Sequence, residues 1–457
     1  MKQIRNILGG GAVKQTIKEH RAQLSPGRTP GAPGLNCLVL GGGGREYAIA
    51  WRLARSDSVA SIDVVPGNAG VALFTRVLDF APRDVARLQQ HVAASAIDLA
   101  IVGPDELIAD GVGDHLRRAS VSVVAPSKEA AKIEWSKTFG HELMREVGIP
   151  SPRWETFTTS QAARNALDRN LWAAPLVVKA DGLAAGKGVK VCLTTADAIM
   201  TLGTPPTNSG RVVFEEVLEG EEASLQALVD GDTVIALPPA RDHKRLGDGD
   251  TGPNTGGMGA SSPTTVVPDD EAQALADQLI APITRALAAR GTPYRGVLYA
   301  GVMKTKSGFK VLEYNARFGD PEAQVTLPRI GGDFGKLMAA LGDGRLKEFV
   351  AQNPLRISQR AYVDVVLCAE GYPGVPRTGD RIEGLDRLPD GVYGFHGATA
   401  STPAGGFITM GGRVMHIVAS GANVAEARDR AYQGAERVTF RGKFYRSDIA
   451  ASGVAVA

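Results

Sequence analysis

The run Leu35–Leu40 is short and, apart from Asn36, apolar, which predicts a strand, and it ends in four glycines. The following stretch, REYAIAWRLARS, predicts a helix, with Ala48 and Trp51 giving an apolar face beside the charged Arg52 and Arg55. Further apolar runs at Ile62–Val65, Leu99–Val102 and Val121–Val124 predict strands, separated by helical stretches near 83–94 and 110–119. Strands alternating with helices predict parallel pairing in an open α/β sheet. Each strand ends in a Gly- or Pro-marked loop: GGGGRE, PGNAG, GPDE and APSK. Ligands of open α/β sheets bind at the C-terminal ends of the strands, so these loops are the candidate binding face of a first domain at 35–136.

From 137 the pattern changes. SKTFGHELMREVGIP predicts an amphipathic helix stopped by Gly148 and Pro150. APLVVKADGLAAGKGVKVCL predicts strand, Gly-rich turn and strand, and RVVFEEVLEGEEASLQALVDG predicts two more strands joined by an acidic turn. Such hairpin material predicts an antiparallel α+β domain over 137–345, with 137–212 as a subdomain. Leu275, Leu279, Ile283 and Leu287 at i+4 spacing predict one long helix near 269–290, capped by Gly291. AYVDVVLCAE, GRVMHIVAS and a helix at 424–438 predict a small mixed C-terminal domain at 346–450. The expected fold class is thus α/β and α+β multidomain, about three domains by length.

Composition narrows the function. Residues 1–34 hold six Lys/Arg and one acid, Glu19, giving +5 and a basic extension that reads as flexible. The other 423 residues hold 45 basic and 48 acidic side chains, giving −3. A nearly neutral body lacks the basic face of a nucleic-acid binder. Cys37, Cys192 and Cys368 are far apart and form no CxxC pair, which fits a reducing cytoplasm. The longest uncharged run, 391–412, carries seven Gly and is no membrane span.

GGGGRE fails as a dinucleotide fingerprint, because the third glycine position falls on Glu46 or Tyr47. What remains is a Gly loop opening a helix, a generic site for one phosphate, or a structural turn. DGLAAGKG fails as a Walker A loop, with Asp181 and Gly188 where Gly and Ser/Thr are needed. A Gly-rich, Lys-bearing turn between strands can fold as a flap over a triphosphate; the alternative is a hairpin without ligand. In LEYNARFGDPEAQ, Glu313 and Asn315 share one strand face and offer the two oxygen ligands that suit Mg²⁺ beside phosphates. Arg317 has the same parity, and a solvated polar face is the competing reading. RDHKRLGDGDTGPNTGGMGA is a long aperiodic loop, which is usually functional or disordered, and the strand and helix signals that bracket it favour function. FRGKFYRSDI mixes aromatics with cations, and the neutral body favours surface packing over nucleic acid.

Taken in order, GGGGRE, PGNAG, GPDE, SKTF, VKADGLAAGKGV, EEVLEGEEAS, DHKR, DTGPNTGGMGA, LEYNARFGDPE and GKFYRSDI resemble the phosphoribosylamine–glycine ligases of purine biosynthesis, in the ATP-grasp superfamily. The resemblance spans about 35–450. It implies an ATP-grasp central domain and a carbon–nitrogen ligase that phosphorylates the glycine carboxylate and lets 5-phosphoribosylamine attack the acyl phosphate. It implies ATP and Mg²⁺, with Mn²⁺ as an alternative, held by Glu313 and Asn315. Lys137 and Lys179 match the ATP-phosphate lysines, and Gly182, Gly186, Lys187 and Gly188 match the flap. Glu215, Glu216, Val217 and Leu218 match the hinge around adenine, and Glu222 the ribose contact. Arg317, Lys244 and Asp320 fall in the catalytic group. The amine is expected against Gly43, Gly44, Arg45, Tyr47, Gly67, Asn68, Pro104 and Asp105, with Asp242, Asn254, Thr255 and Gly256 completing the pocket.

The departures fall on or near the amine side. Tyr47 stands where the family usually has His, Trp135 where it has Gly, Ala260-Ser261-Ser262-Pro263 in place of AYSP, and Gly397-Ala398 in place of Ala-Gly. Tyr47 and Trp135 therefore raise an alternative, an ATP-grasp amide ligase of specialised metabolism with another amine. A non-catalytic nucleotide-binding paralogue is a further alternative. The expected partners are small molecules, an amino acid and a phosphorylated amine, without nucleic acid or membrane, in a monomer or homodimer.

Overall fold

The computed structural model describes residues 34–183, 188–207 and 210–451. The first domain is a five-stranded sheet of β1 (Leu35–Gly41), β2 (Val59–Pro66), β3 (Arg76–Val77), β4 (Leu99–Val102) and β5 (Ser122–Val124), in the order β3-β2-β1-β4-β5. Every pair is parallel, as the strand–helix alternation predicts. Helix α1 (Gly44–Leu53) leaves the Gly loop directly after β1. Glu46 folds back over that loop and accepts from the Gly43 N–H at 2.7 Å and from Arg45 Nε at 2.6 Å. A Cβ on Gly103 would overlap the Glu46 carboxylate, and one on Gly44 would overlap the His416 ring. These two glycines serve close packing of Glu46 and His416.

Two antiparallel sheets follow. The strands Trp154–Phe157, Val212–Glu216, Leu176–Ala180 and Val189–Cys192 lie in that order, over a core that includes Phe157, Trp172 and Phe214. Thr233–Ala236, Glu221–Asp230, Arg295–Thr305 and Gly308–Asn315 form the other. The acidic turn after Glu216 therefore joins two sheets and is not a hairpin: Val212–Glu216 pairs with Leu176–Ala180, while Glu221–Asp230 pairs with Arg295–Lys304. The sequence pattern shows strand–turn–strand in both cases and cannot tell a hairpin from a crossing.

The single helix expected at 269–290 is two, Ala272–Leu279 and Ala281–Ala289, broken at Ile280. Pro282 in the first turn of the second helix explains the break, since it has no N–H and its ring clashes with the carbonyl four residues back. The C-terminal sheet is ordered Arg241–Asp242, Gly259–Ser262, Ala361–Cys368, Arg413–Gly421, Val392–His396, with the helix Val424–Arg437 against it. Its first two strands come from upstream of residue 346, so the 243–258 loop springs from the C-terminal sheet. Among the described residues, no helix is long and apolar enough to cross a membrane.

Candidate active site

A cavity of about 670 Å³ opens between the two antiparallel sheets and the first domain's loops. The strand Gly308–Asn315 crosses its floor. Opposite this strand the register shifts, so that Gly301 faces Glu313, Val302 faces Val311, and Leu312 is skipped. The bulge releases the Leu312 carbonyl, which accepts from Lys179 Nζ at 3.0 Å. Glu313 and Asn315 flank it and both line the cavity.

Cations gather around these oxygens. Lys137 Nζ lies 3.1 Å from Glu313 Oε2. Burial pushes the Glu313 carboxyl up, but Lys137, Lys244 and Lys179 outweigh it and hold it well below the usual carboxylate range. Lys179 Nζ sits 2.8 Å from Glu215 Oε1, and His141 Nε2 sits 2.7 Å from the same oxygen. The Glu215 side chain is thus a buried anchor for Lys179. Lys244 pairs with Glu222 at 3.1 Å. Arg317 Nη2 donates to Asn315 Oδ1 at 3.4 Å, and its Nε lies 3.3 Å from Glu134 Oε1, an ion pair without hydrogen-bond alignment. Glu134 also accepts from the Ala316 N–H at 2.7 Å, so it fixes both the end of the strand and the guanidinium.

One wall is apolar, with Val177, Ala180, Val191, Leu218, Met303 and Leu312 beside the backbone at 217–218. The far end is polar. Asp320 pairs with Arg413 at 2.9 Å. Burial pushes the Asp320 carboxyl up, but Arg413, His416 and Arg45 outweigh it and pull it well below its ordinary value. Asp242 is driven the other way, by burial and by the neighbouring Glu322.

The cavity unites Lys137, Lys179, Gly182, Gly188, Glu215–Leu218, Glu222, Asp242, Lys244, Asn254, Thr255, Gly256, Glu313, Asn315, Arg317 and Asp320 with Arg45 and Asp105 of the first domain. Gly186 and Lys187 lie outside the described residues. Six expected amine contacts do not line it. Gly43 caps α1 and Gly44 begins it, just ahead of Arg45, and Pro104 precedes the helix that Asp105 begins. Gly67 hydrogen-bonds the Gly41 carbonyl. Asn68 spends its side chain on Gly42, His396, Gly70 and Val71. Tyr47 is 1% exposed, stacked on Phe395 with ring centres 5.0 Å apart and edge-on to Phe74. It belongs to the core between the first domain and the C-terminal sheet, a placement set by three-dimensional packing that motif matching does not register. Trp135 is likewise absent from the lining, while its neighbour Glu134 is present.

Sequence reasoning missed Glu134, Tyr299, Glu322 and Arg413 as lining residues. Glu322 was legible, two residues beyond Asp320 in the same motif. Arg413 was not, since it opens a strand whose pattern signals only a sheet.

This arrangement, two antiparallel sheets closing on a lysine-rich cavity with an acid–amide pair on its floor, is that of the ATP-grasp class. The solved structure of phosphoribosylamine–glycine ligase from Thermotoga maritima is 33% identical and superposes with a TM-score of 0.77, covering 91% of this chain and all of that one. The biotin carboxylase domain of Hydrogenobacter thermophilus 2-oxoglutarate carboxylase, solved with MgADP and bicarbonate, is 15% identical at a TM-score of 0.68, over 90% of this chain and 92% of that one, a likeness of fold. Family models for the phosphoribosylglycinamide synthetase N domain, ATP-grasp (A) domain and C domain match residues 35–134, 135–323 and 362–452. Phosphoribosylamine–glycine ligases of Mesorhizobium japonicum and Yersinia pestis are 40% and 42% identical, each over 92% of this chain and 99% of the relative. The chain belongs to the phosphoribosylamine–glycine ligase (phosphoribosylglycinamide synthetase) family, and its ATP-grasp fold implies ATP binding.

Proposed function

We propose that this chain joins glycine to 5-phosphoribosylamine at the expense of ATP, giving glycinamide ribonucleotide, ADP and phosphate. The observation that carries the reading is the convergence of Lys137, Lys179, Lys244 and Arg317 on the Glu313–Asn315 pair inside one cavity. Phosphoryl transfer asks a protein mainly for positioning and for charge neutralisation, and this cluster offers both.

The purine fits the apolar wall beside 217–218, and Glu222 stands where the ribose hydroxyls would lie. Lys137 and Lys179 then meet the phosphates, with Lys179 held in place by Glu215 and the Leu312 carbonyl. The donor set on the floor, one carboxylate kept ionised and one amide oxygen, consists of hard oxygens suited to Mg²⁺. The described lining holds ten Asp/Glu against eight Lys/Arg, so it offers a triphosphate no excess of cations, and a companion cation would make up the difference. Bound to Glu313 and Asn315, Mg²⁺ would supply charge neutralisation at the ATP phosphates.

In the first step a glycine carboxylate oxygen attacks the γ-phosphorus and ADP departs. Arg317, oriented by Glu134 and Asn315, faces the charge that builds on the phosphoryl oxygens. In the second step the amine nitrogen attacks the acyl carbon, the C–O bond to phosphate breaks, and the amine gives up a proton. Arg45, Asp105, Asp320 and the 254–256 segment border the end of the cavity where this amine would sit. A different amine was suggested by Tyr47 and Trp135, and neither lines the cavity. The test is ADP release from ATP and Mg²⁺ that requires both glycine and phosphoribosylamine; no ADP above background, or a second amine outrunning phosphoribosylamine, overturns the reading.

A further inference from the structure

The 243–258 loop brings Lys244, Asn254, Thr255 and Gly256 to the cavity; Met258 roots it in the C-terminal core, but over 244–254 no residue is fully buried. It carries a two-strand ribbon, Arg245–Gly247 against Thr251–Asn254, with mostly half-exposed or exposed residues. Besides the Lys244–Glu222 pair and the packing of Leu246 on the C-terminal core, polar contacts from the C-terminal domain fasten it at two places.

At the inner end, the Gly256 peptide is gripped from both sides. Its N–H donates to the Tyr372 hydroxyl at 2.8 Å, and its carbonyl accepts from Arg413 Nη1 at 2.5 Å. The same guanidinium holds Asp320 at 2.9 Å, which stands beside Gly43 at the start of α1. Thr255, through N–H and hydroxyl, ties back to the Lys244 carbonyl at 2.8 Å each. At the outer end stands the segment Arg446–Asp448, from the aromatic and basic stretch that the reaction does not use. Arg446, only 1% exposed, donates to the Arg245 carbonyl at 3.0 Å and to Asp250 at 2.8 Å. Asp448 braces that guanidinium and accepts from the Gly249 N–H at 2.8 Å, while the Ser447 N–H donates to Asp248 at 2.8 Å. A guanidinium fork shared among a carbonyl and two carboxylates is a geometry that Lys cannot reproduce.

We infer that Tyr372 and Arg446 are positioning residues for the acceptor amine: they clamp the 243–258 loop at its two ends and so set the amine end of the cavity from the C-terminal domain. Neither side chain lines the cavity, so each acts through the loop. The inference rests on the functional reading that the 254–256 segment borders the amine.

The test uses the full chain with Tyr372→Phe and, separately, Arg446→Lys, measured for KM and kcat with ATP, glycine and phosphoribosylamine varied in turn. Amide hydrogen exchange at 249–256 is followed alongside. The expected result is a fall of about tenfold or more in kcat/KM for the amine, equivalent to about 1.4 kcal/mol, with KM for ATP within twofold of the parent and faster exchange at Gly256 in Tyr372→Phe. Unchanged constants in both variants overturn the inference. So does an equal loss for all three substrates, the mark of a merely structural role. Tyr372→Phe keeps its ring and so remains informative should Arg446→Lys fold poorly. Failure of the parent chain to use phosphoribosylamine refutes the functional reading instead, and is read before either variant is made.

Discussion

Glu215→Gln removes one charge and almost no volume from the most buried ion cluster of the cavity. Glu215, His141 and Lys179 are 2%, 2% and 5% exposed, and one carboxylate oxygen serves both partners. Breaking a buried pair by neutralising one member costs about 3–5 kcal/mol, because the other charge is left without compensation. Lys179 keeps the Leu312 carbonyl and a more distant attraction to Glu313, which places the expected loss near the lower end, about 3 kcal/mol. A domain typically has ~5–15 kcal/mol in all, so the variant remains folded but fragile. Without its anion the lysine is no longer held where the proposed ATP phosphate would meet it. We expect kcat/KM for ATP to fall about a hundredfold, the ~2.7 kcal/mol typical of losing one preorganised donor. Glu215 titrates below its unfolded value because Lys179 and His141 outweigh burial. Its stabilisation is therefore present above the unfolded carboxylate pKa of about 4.3 and is lost as pH falls toward the folded value. Urea unfolding of parent and variant between pH 7 and pH 3 should show the gap closing as the medium acidifies. Glu216→Gln is the control: its pair with Lys310 is 36% and 26% exposed, and such pairs contribute ~0–1 kcal/mol. A loss below 1 kcal/mol in Glu215→Gln with KM for ATP unchanged would refute the anchoring role.

Three further outcomes follow from the same geometry. Glu313→Ala should abolish ADP release while leaving amine binding, read by equilibrium titration, within a fewfold of the parent; equal loss of both contradicts a role at the phosphates. Tyr47→Phe removes a buried hydroxyl that has no hydrogen-bond partner, so stability should stay level or rise by up to ~1 kcal/mol with KM for the amine unchanged, and a raised KM would return Tyr47 to the binding site. Burial, with help from Arg446 and Arg241, lowers the His243 imidazole to about 4, and its Nε2 accepts from the Ala450 N–H at 3.1 Å. The unfolded chain binds a proton there first, so stability should fall by ~1.4 kcal/mol per pH unit from about 6.5 down to about 4. In His243→Gln that share of the slope should vanish, and an unaltered slope is the contrary result.

How much of this was legible in the sequence depended on the range of the forces involved. Local periodicity gave four of the five strands of the parallel sheet and the helix after Ser136, because each is written in its own residues; the two-residue edge strand Arg76–Val77 is too short to leave a pattern. The hairpin at 176–192 was legible for the same reason. The partner of Val212–Glu216 was not, since the choice between hairpin and crossing is made by distant strands. The long helix failed at Ile280 because the i+4 leucine spacing outweighed Pro282, a single residue with a large local cost. Strand parity pointed to Glu313 and Arg317, and the family resemblance supplied most of the cavity's other charged side chains. The resemblance also put Tyr47 and Asn68 at the amine, whereas neighbours along a motif need not face the same way. The C-terminal clamp on the 243–258 loop lay beyond any pattern, joining residues about 200 positions apart, such as Arg245 and Arg446.

The central claim is that an oxygen of the glycine carboxylate takes the terminal phosphoryl of ATP before the amine nitrogen attacks the acyl carbon. Turnover of glycine labelled with ¹⁸O in both carboxylate positions, in the presence of ATP, Mg²⁺ and phosphoribosylamine, tests it directly by mass spectrometry of the released phosphate. The account predicts one labelled oxygen in each phosphate and one retained in the amide. Phosphate that carries no label from a reaction that nonetheless forms the amide would contradict it.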